Sequence, residues 1–185
     1  MRYKGKHKLK GHNLKVLSLG SGFEKRNDDI FMVDIAAETN PDLVWDLNNT
    51  PLPLDEKTYD KIIMFDVIEH IDDIMKTMAE CYRLLKPGGV LHLKTPHFSS
   101  ANSYTDPTHK FHLGYFSFDF FDPDHERFYY SKAKFKTRYK FLHFHRHRFV
   151  NWLFEKIANK YTWNYEQKWA WIFPACYIDI KLEKV

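Results

Sequence analysis

Residues 16–22, Val-Leu-Ser-Leu-Gly-Ser-Gly, read as a short buried strand that runs straight into a glycine turn, and a second apolar strand at 30–34 closes on Asp34. Gly20 and Gly22 let the backbone turn tightly and approach a ligand closely. A carboxylate at the end of the following strand can accept both hydroxyls of a ribose, so the pair is the frame that cradles a nucleoside in open α/β sheets. A strand followed by Gly-x-Gly also occurs in plain turns, so the assignment depends on the order of the remaining elements.

Downstream of residue 34 the chain alternates between element types. Tyr59 to Phe65 is another apolar strand, and it delivers Asp66 at its carboxyl end, where ligands of such sheets sit. Residues 72–86 place Ile74, Met78, Cys81, Tyr82, Leu84 and Leu85 largely on one helical face, and Pro87-Gly88-Gly89 stops the helix. Val90 to Lys94 forms the next strand. Strand, turn, strand, strand, helix, strand is the alternation of a parallel, doubly wound α/β sheet with helical crossovers.

The order of these blocks resembles the class I S-adenosylmethionine-dependent methyltransferases, in particular the small type-11-like branch. The blocks are Val-Leu-Ser-Leu-Gly-Ser-Gly at 16, Val-Asp-Ile at 33, Trp-Asp-Leu at 45, Phe-Asp-Val-Ile-Glu-His-Ile at 65 and Leu-Leu-Lys-Pro-Gly-Gly-Val-Leu at 84. The ending at 177–184 is similar to the antiparallel last strand of that Rossmann-like fold. The resemblance implies one domain over residues 1–185, with a basic segment at 1–14 and a substrate loop and cap at 97–131. It implies S-adenosylmethionine as cofactor. The Gly20-Ser21-Gly22 turn would line its methionine and ribose portion, Asp34 would hold the ribose, Asp46 would lie at the adenine amino group, and Ile35 and Leu47 would sandwich the ring. Asp66, with the Phe65 backbone, would face the methionine end, where a carboxylate can pair with an ammonium. Two positions depart from the family pattern. Ser18 replaces the usual acid of the first strand, and Phe23 replaces a third glycine. Only eleven residues separate Gly22 from Asp34, too few for a helix plus a strand, so the first crossover is expected to be a short loop or single turn.

With 185 residues and 44% hydrophobic content the chain can bury a real core. It has no apolar run long enough to span a bilayer and no apolar stretch in its first ten residues, so a cytoplasmic protein without a membrane partner is expected. Cys81 and Cys176 match no metal spacing and read as reduced core residues. The net charge of +4 suits an anionic small molecule or, as the less favoured partner, nucleic acid, since no stacking aromatics with RNA-binding spacing occur. A dehydrogenase is disfavoured, because the chain lacks Gly-x-Gly-x-x-Gly with its helix.

The polar stretch 95–112 starts at a carboxyl strand end and is the expected place of acceptor recognition. His109 is the first choice for a base, with Asp106 as its orienter and His97 as the second choice; binding or loop-holding roles for the three are equally compatible with the sequence. The expected acceptor is an oxygen, then a nitrogen, of a small polar, sugar-like or anionic molecule. The alternatives are an RNA-binding or RNA-modifying methyltransferase and a catalytically silent binding protein of the same fold. His143, His145 and His147 would share one face of an extended segment, but no suitable carboxylate or cysteine lies near them in sequence, so no metal is expected. Residues 133–142 alternate like a half-buried strand. A helix at 146–160 would turn Phe149, Trp152, Leu153, Phe154 and Ile157 to the core, and a short helix after Ser117 would cap the site. Trp163, Trp169, Trp171, Phe173 and Tyr177 read as packing; exposed, they would mark a homodimer face.

Overall fold

The computed structural model describes residues 14–25, 27–145 and 149–185, so the basic amino-terminal segment, apart from its last residue Leu14, and His147 lie outside the described residues. Seven strands form one sheet: β1 (Val16–Leu19), β2 (Ile30–Asp34), β3 (Leu43–Val44), β4 (Tyr59–Phe65), β5 (Leu85–Pro96), β6 (Phe135–His143) and β7 (Tyr177–Lys184). Their order is β3-β2-β1-β4-β5-β7-β6. Neighbours from β3 through β5 pair in parallel, and β7 runs antiparallel between β5 and β6. The order reverses at β1, so the carboxyl ends of β1, β2 and β4 face a common crevice.

The helices are α1 (Ile74–Leu84), the single turn α2 (Asn102–Thr105), α3 (Phe149–Lys160) and α4 (Thr162–Lys168). Asp73 caps α1 by accepting a hydrogen bond from the Lys76 amide at 3.0 Å. Met78, Cys81 and Leu84 of α1 are fully buried with Ile62, Met64, Leu91, Leu93, Ile178 and Ile180 of the sheet, which makes this face the core. Each such side chain contributes about 1.5–3 kcal/mol relative to its exposed state. The chain passes from α1 into β5 without a linker. Leu85 already pairs with Tyr59, and Pro87-Gly88-Gly89 form a bulge before Val90 pairs with Lys61 rather than the helix stop alone.

The opposite sheet face is built differently. Ile63, His92 and Lys181 stand in register across β4, β5 and β7 and are half-buried. His92 meets Asp179 at 2.8 Å, Arg138 pairs with Glu183, and Lys94 lies over the Tyr177 ring at 4.4 Å. These cross-strand pairs suit a face in contact with water. The cause is visible in the connections. The link from β1 to β2 is a loop, as the short spacing predicts, and 45–58 between β3 and β4 contains no helix.

Polar clamps take over the work of the missing crossovers. Glu80, buried in α1, accepts from the Leu52 amide at 2.8 Å and from Arg83, whose guanidinium also donates to the carbonyls of Leu52 and Leu54. The last residues of the sheet are held to the end of α1 by Lys184, which donates to the carbonyls of Tyr82 and Leu85 at 2.6 and 2.8 Å.

The carboxyl-terminal third differs from the sequence expectation. Trp152, Leu153 and Ile157 of α3 are exposed, while Phe154 is half-buried against the core as expected and Ala158 is buried; Phe149 lies outside the described side chains. Asn159 explains the rotation, since its side chain both accepts from the Leu142 amide and donates to the Leu142 carbonyl, laying the polar face of α3 on the end of β6. Trp163, Trp169, Trp171 and Phe173 are likewise exposed at 62, 46, 69 and 46% rather than packed, and only Tyr177 of that group is half-buried. The cap after Ser117 consists of two single 3-10 turns, Asp119–Phe121 and Phe128–Tyr130. Both cysteines are free and buried.

Replacing Glu80 by alanine strands the Leu52 amide and Arg83 together, and urea unfolding should show a loss of about 2–4 kcal/mol. A loss below about 1 kcal/mol would contradict the role given to this clamp.

Candidate functional site

At the carboxyl ends of β1, β2 and β4 lies a cavity of about 380 Å³ whose lining includes Gly20, Gly22, Asp34, Asp46 and Asp66, together with Ile35 and Leu47. Acids widely spaced in sequence thus share one wall. Gly20 takes φ +68°, and a Cβ added there would stand 2.3 Å from Val67 Cγ2, so the turn after β1 is pressed against the segment that follows β4. Gly22 also has positive φ but faces open space. Asp34 accepts from the Gly22 amide at 2.7 Å with one oxygen and from the Ala36 amide at 2.9 Å with the other. A carboxylate offers about four lone-pair sites, so two stay free for a ligand's hydroxyls. Asp46 is itself oriented by the Asn48 amide. Ser21 is buried with a hydroxyl that has no protein partner. These features fit an adenosyl group with its vicinal hydroxyls: a glycine turn open at Gly22, a fixed carboxylate and an apolar pair.

One expected contributor sits elsewhere in part, and one departure from the family pattern has a local answer. The Phe65 ring packs edge-on against His92 at 4.8 Å and is not part of the lining, which leaves only its backbone near the crevice. Ser18 donates to Glu24 Oε2 at 3.0 Å, so a carboxylate from the first loop returns to the position where the strand lacks one. Trp45, Asn48, Val67, His70 and Ile71 also line the cavity and were not singled out from sequence. The signal for them was their adjacency to Asp46 and Asp66.

Asp66 and His70 are shared with a second cavity of about 530 Å³, which Glu69, Asn102, His109 and Tyr177 also line. Asp66 holds a left-handed backbone, φ +54°, fixed by its amide donating to the Lys94 carbonyl at 2.8 Å. That conformation costs about 1 kcal/mol or more and turns the chain sharply at the strand end. The Glu69 carbonyl accepts from the amides of Lys110 and Phe111, tying the polar loop to the segment after β4. Burial pushes the carboxyls of Asp66 and Glu69 above their usual range, and burial with the neighbouring His109 pulls His70 below the usual range of an imidazole.

Of the three sequence candidates for acceptor chemistry, His109 and Asp106 line the second cavity and His97 does not. His109 Nδ1 donates to the Ser103 carbonyl at 3.1 Å, and its Nε2 faces Glu69 Oε1 at 4.0 Å. Asp106 also lines the cavity, but its carboxylate does not orient the His109 ring. It accepts from the Thr108 amide and hydroxyl, and that hydroxyl meets His70 Nδ1 at 2.9 Å. His97 is fully buried between Ser99 and Glu166, away from the lining, where it ties the loop to α4.

Gly20→Ala should lower stability by about 2 kcal/mol or more, because the new methyl collides with Val67 in a strained backbone, whereas Gly22→Ala should cost about 1 kcal/mol. Equal losses in urea unfolding would contradict the tight apposition at Gly20.

Residues 29–93 match the family described as a methyltransferase domain. A probable S-adenosylmethionine-dependent methyltransferase of Mycolicibacterium smegmatis is 38% identical over 66 residues, 35% of this chain and 26% of that protein. The chain thus aligns with about a quarter of that relative's length. Among solved structures, an S-adenosylmethionine-dependent methyltransferase from Mesorhizobium loti superposes with a TM-score of 0.60 at 11% identity, over 93% of this chain and 91% of the other. The [4+2]-cyclase SpnF superposes with a TM-score of 0.58 at 15% identity, over 93% and 75%. Residues 29–93 thus carry the match to the methyltransferase domain, and the chain as a whole has the fold of the class I S-adenosylmethionine-dependent methyltransferases.

Proposed function

We propose that the chain transfers a methyl group from S-adenosylmethionine to an oxygen of a small polar acceptor, the donor lying in the Asp34 cavity and the acceptor in the His109 cavity. The observation that carries this reading is the shared wall: Asp66 and His70 border both spaces, so two ligands can meet there and nowhere else in the two linings. When bound, the cofactor supplies a methyl group already activated on a sulfonium. What the protein must add is alignment and exclusion of water. Asp34 holds the ribose, Asp46 the adenine edge, and Asp66 stands at the junction to pair with the ammonium. On the acceptor side His109 presents the Nε2 lone pair, because its Nδ1 proton is committed to the Ser103 carbonyl. That lone pair supports the role of His109 as the group receiving the acceptor's proton.

The acceptor cavity is lined by carboxylates, imidazoles, an amide and a phenol, a set suited to hydroxyl-rich molecules. None of the described helices is long and apolar enough to cross a membrane. A cyclase shares the fold, so the sheet alone does not fix the reaction and the residues lining the cavities decide it.

Calorimetry with S-adenosylmethionine and S-adenosylhomocysteine should show binding by the wild type and at least about a tenfold loss for Asp34→Ala. His109→Ala should keep cofactor affinity within about twofold and slow methyl incorporation from labelled cofactor into a panel of polyols, sugar phosphates and nucleosides by about a hundredfold. No cofactor binding by the wild type, or equal affinity losses in the two variants, would overturn the assignment.

A further inference from the structure

The second cavity contains an electrostatic arrangement that methyl transfer alone leaves unexplained. Glu69, His70 and His109 bring one potential ligand atom each to within 4.8 Å of one another. The hydrogen bonds around them settle where the protons are. Thr108 has one hydroxyl proton and gives it to Asp106 Oδ1 at 2.6 Å, so at its 2.9 Å contact with His70 the hydroxyl oxygen accepts from Nδ1–H. His70 therefore carries its lone pair on Nε2. The Ser103 carbonyl can only accept, so His109 Nδ1 holds the proton there and Nε2 again carries the lone pair. Glu69 Oε2 accepts from the Thr95 hydroxyl at 3.0 Å, while Oε1 is buried with no hydrogen-bond partner. Two imidazole lone pairs and a free carboxylate oxygen converge with no donor among them.

A buried carboxylate oxygen left bare is costly, and three converging lone pairs repel unless a positive charge lies between them. The outward hydrogen bonds from both rings are of the kind that orient metal-ligating histidines. We propose that Glu69, His70 and His109 bind a divalent first-row transition ion at the floor of the acceptor cavity. Two nitrogens and one carboxylate suit Mn²⁺, Fe²⁺, Co²⁺ or Zn²⁺ better than Mg²⁺ or Ca²⁺. A metal–imidazole bond is about 2.1 Å, and three atoms no farther apart than 4.8 Å close on such an ion if each moves by less than about 1 Å. The ion keeps open positions toward the cavity, where Asp66 and Asn102 are further oxygen donors.

This inference rests on the methyl-transfer reading for its role and changes one part of it. With an ion bound, the His109 lone pair is spent on the metal. The acceptor hydroxyl binds the ion, its O–H bond breaks with the proton going to water, and the oxygen forms the bond to the methyl carbon as the carbon–sulfur pair returns to sulfur. The ion thus defines the acceptor class as one that offers a hydroxyl for coordination. Local spacing in the sequence gives no sign of such a site, because the ligands come from 69–70 and 109 and are brought together by the Glu69 carbonyl contacts.

The test is titration of chelator-treated protein with Mn²⁺ and Zn²⁺ by calorimetry, and with Co²⁺ by visible absorption. One ion per chain is expected, with affinity reduced at least about a hundredfold in Glu69→Gln and His109→Ala. Thr108→Val keeps all three ligand side chains and removes the hydroxyl that orients His70 and also binds Asp106, so it should weaken binding by about ten- to a hundredfold. It is also an exposed substitution that does not threaten folding. Cofactor affinity serves as the folding control in each variant. Absence of ion binding by the wild type, or unchanged binding in Glu69→Gln and His109→Ala, would overturn the inference. Ion binding is read without the methyl donor, so a protein that binds the ion but not S-adenosylmethionine would overturn the functional reading alone, and the converse would overturn this one alone.

Discussion

The site depends on one close approach. Where β1 ends, Gly20 lies so near Val67 that no side chain fits between them. That contact sets the turn after β1 directly against the segment 66–71 that follows β4. The same segment presents Asp66 and His70 to both cavities and Glu69 to the second. Its own course is fixed by the left-handed backbone of Asp66, the amide bond from Asp66 to Lys94, and the amides of Lys110 and Phe111 on the Glu69 carbonyl. The two cavities therefore border one short piece of chain. On the proposed reading, that arrangement is what aligns donor with acceptor.

A second constraint is the economy of the crossovers. With loops instead of helices between β1 and β2 and between β3 and β4, hydrophobic layering alone does not hold the strand ends. Buried charged side chains do so instead: Glu80 with Arg83 against the 45–58 loop, and Lys184 against the end of α1. The face of Ile63, His92 and Lys181 is correspondingly decorated with ion pairs and cation–ring contacts rather than with a continuous apolar surface. Such pairs are each worth little in water, which is consistent with a surface that contributes shape more than stability.

Much of this was legible in the sequence, because period and position are local properties. The strands at 16–19, 30–34 and 59–65 and the short first crossover are set by apolar runs, glycine placement and spacing, while the antiparallel last strand was legible only through the family resemblance. Of the residues proposed for the donor site, Gly20, Gly22, Asp34, Ile35, Asp46, Leu47 and Asp66 line one cavity for the same reason: each ends a strand or follows one within three residues, whereas Ser21 and the Phe65 ring are not in the lining. What the sequence concealed lies in contacts between distant segments. The apolar stripe of α3 predicts Trp152 and Ile157 inward, but the Asn159 contacts with Leu142 decide its rotation. Asp106 stands three residues before His109 and seemed its natural partner, yet the hydroxyl of Thr108 diverts it to His70. No spacing rule links Glu69 to His109 across the intervening chain.

The central claim is that donor and acceptor meet at Asp66, and a crystal structure with bound S-adenosylhomocysteine tests it most directly. The account predicts ribose hydroxyls on the Asp34 carboxylate, adenine between Ile35 and Leu47, and the sulfur at the opening toward His109. Density for the ligand away from Gly20, Asp34 and Asp66, or a sulfur turned away from the His109 cavity, would contradict it.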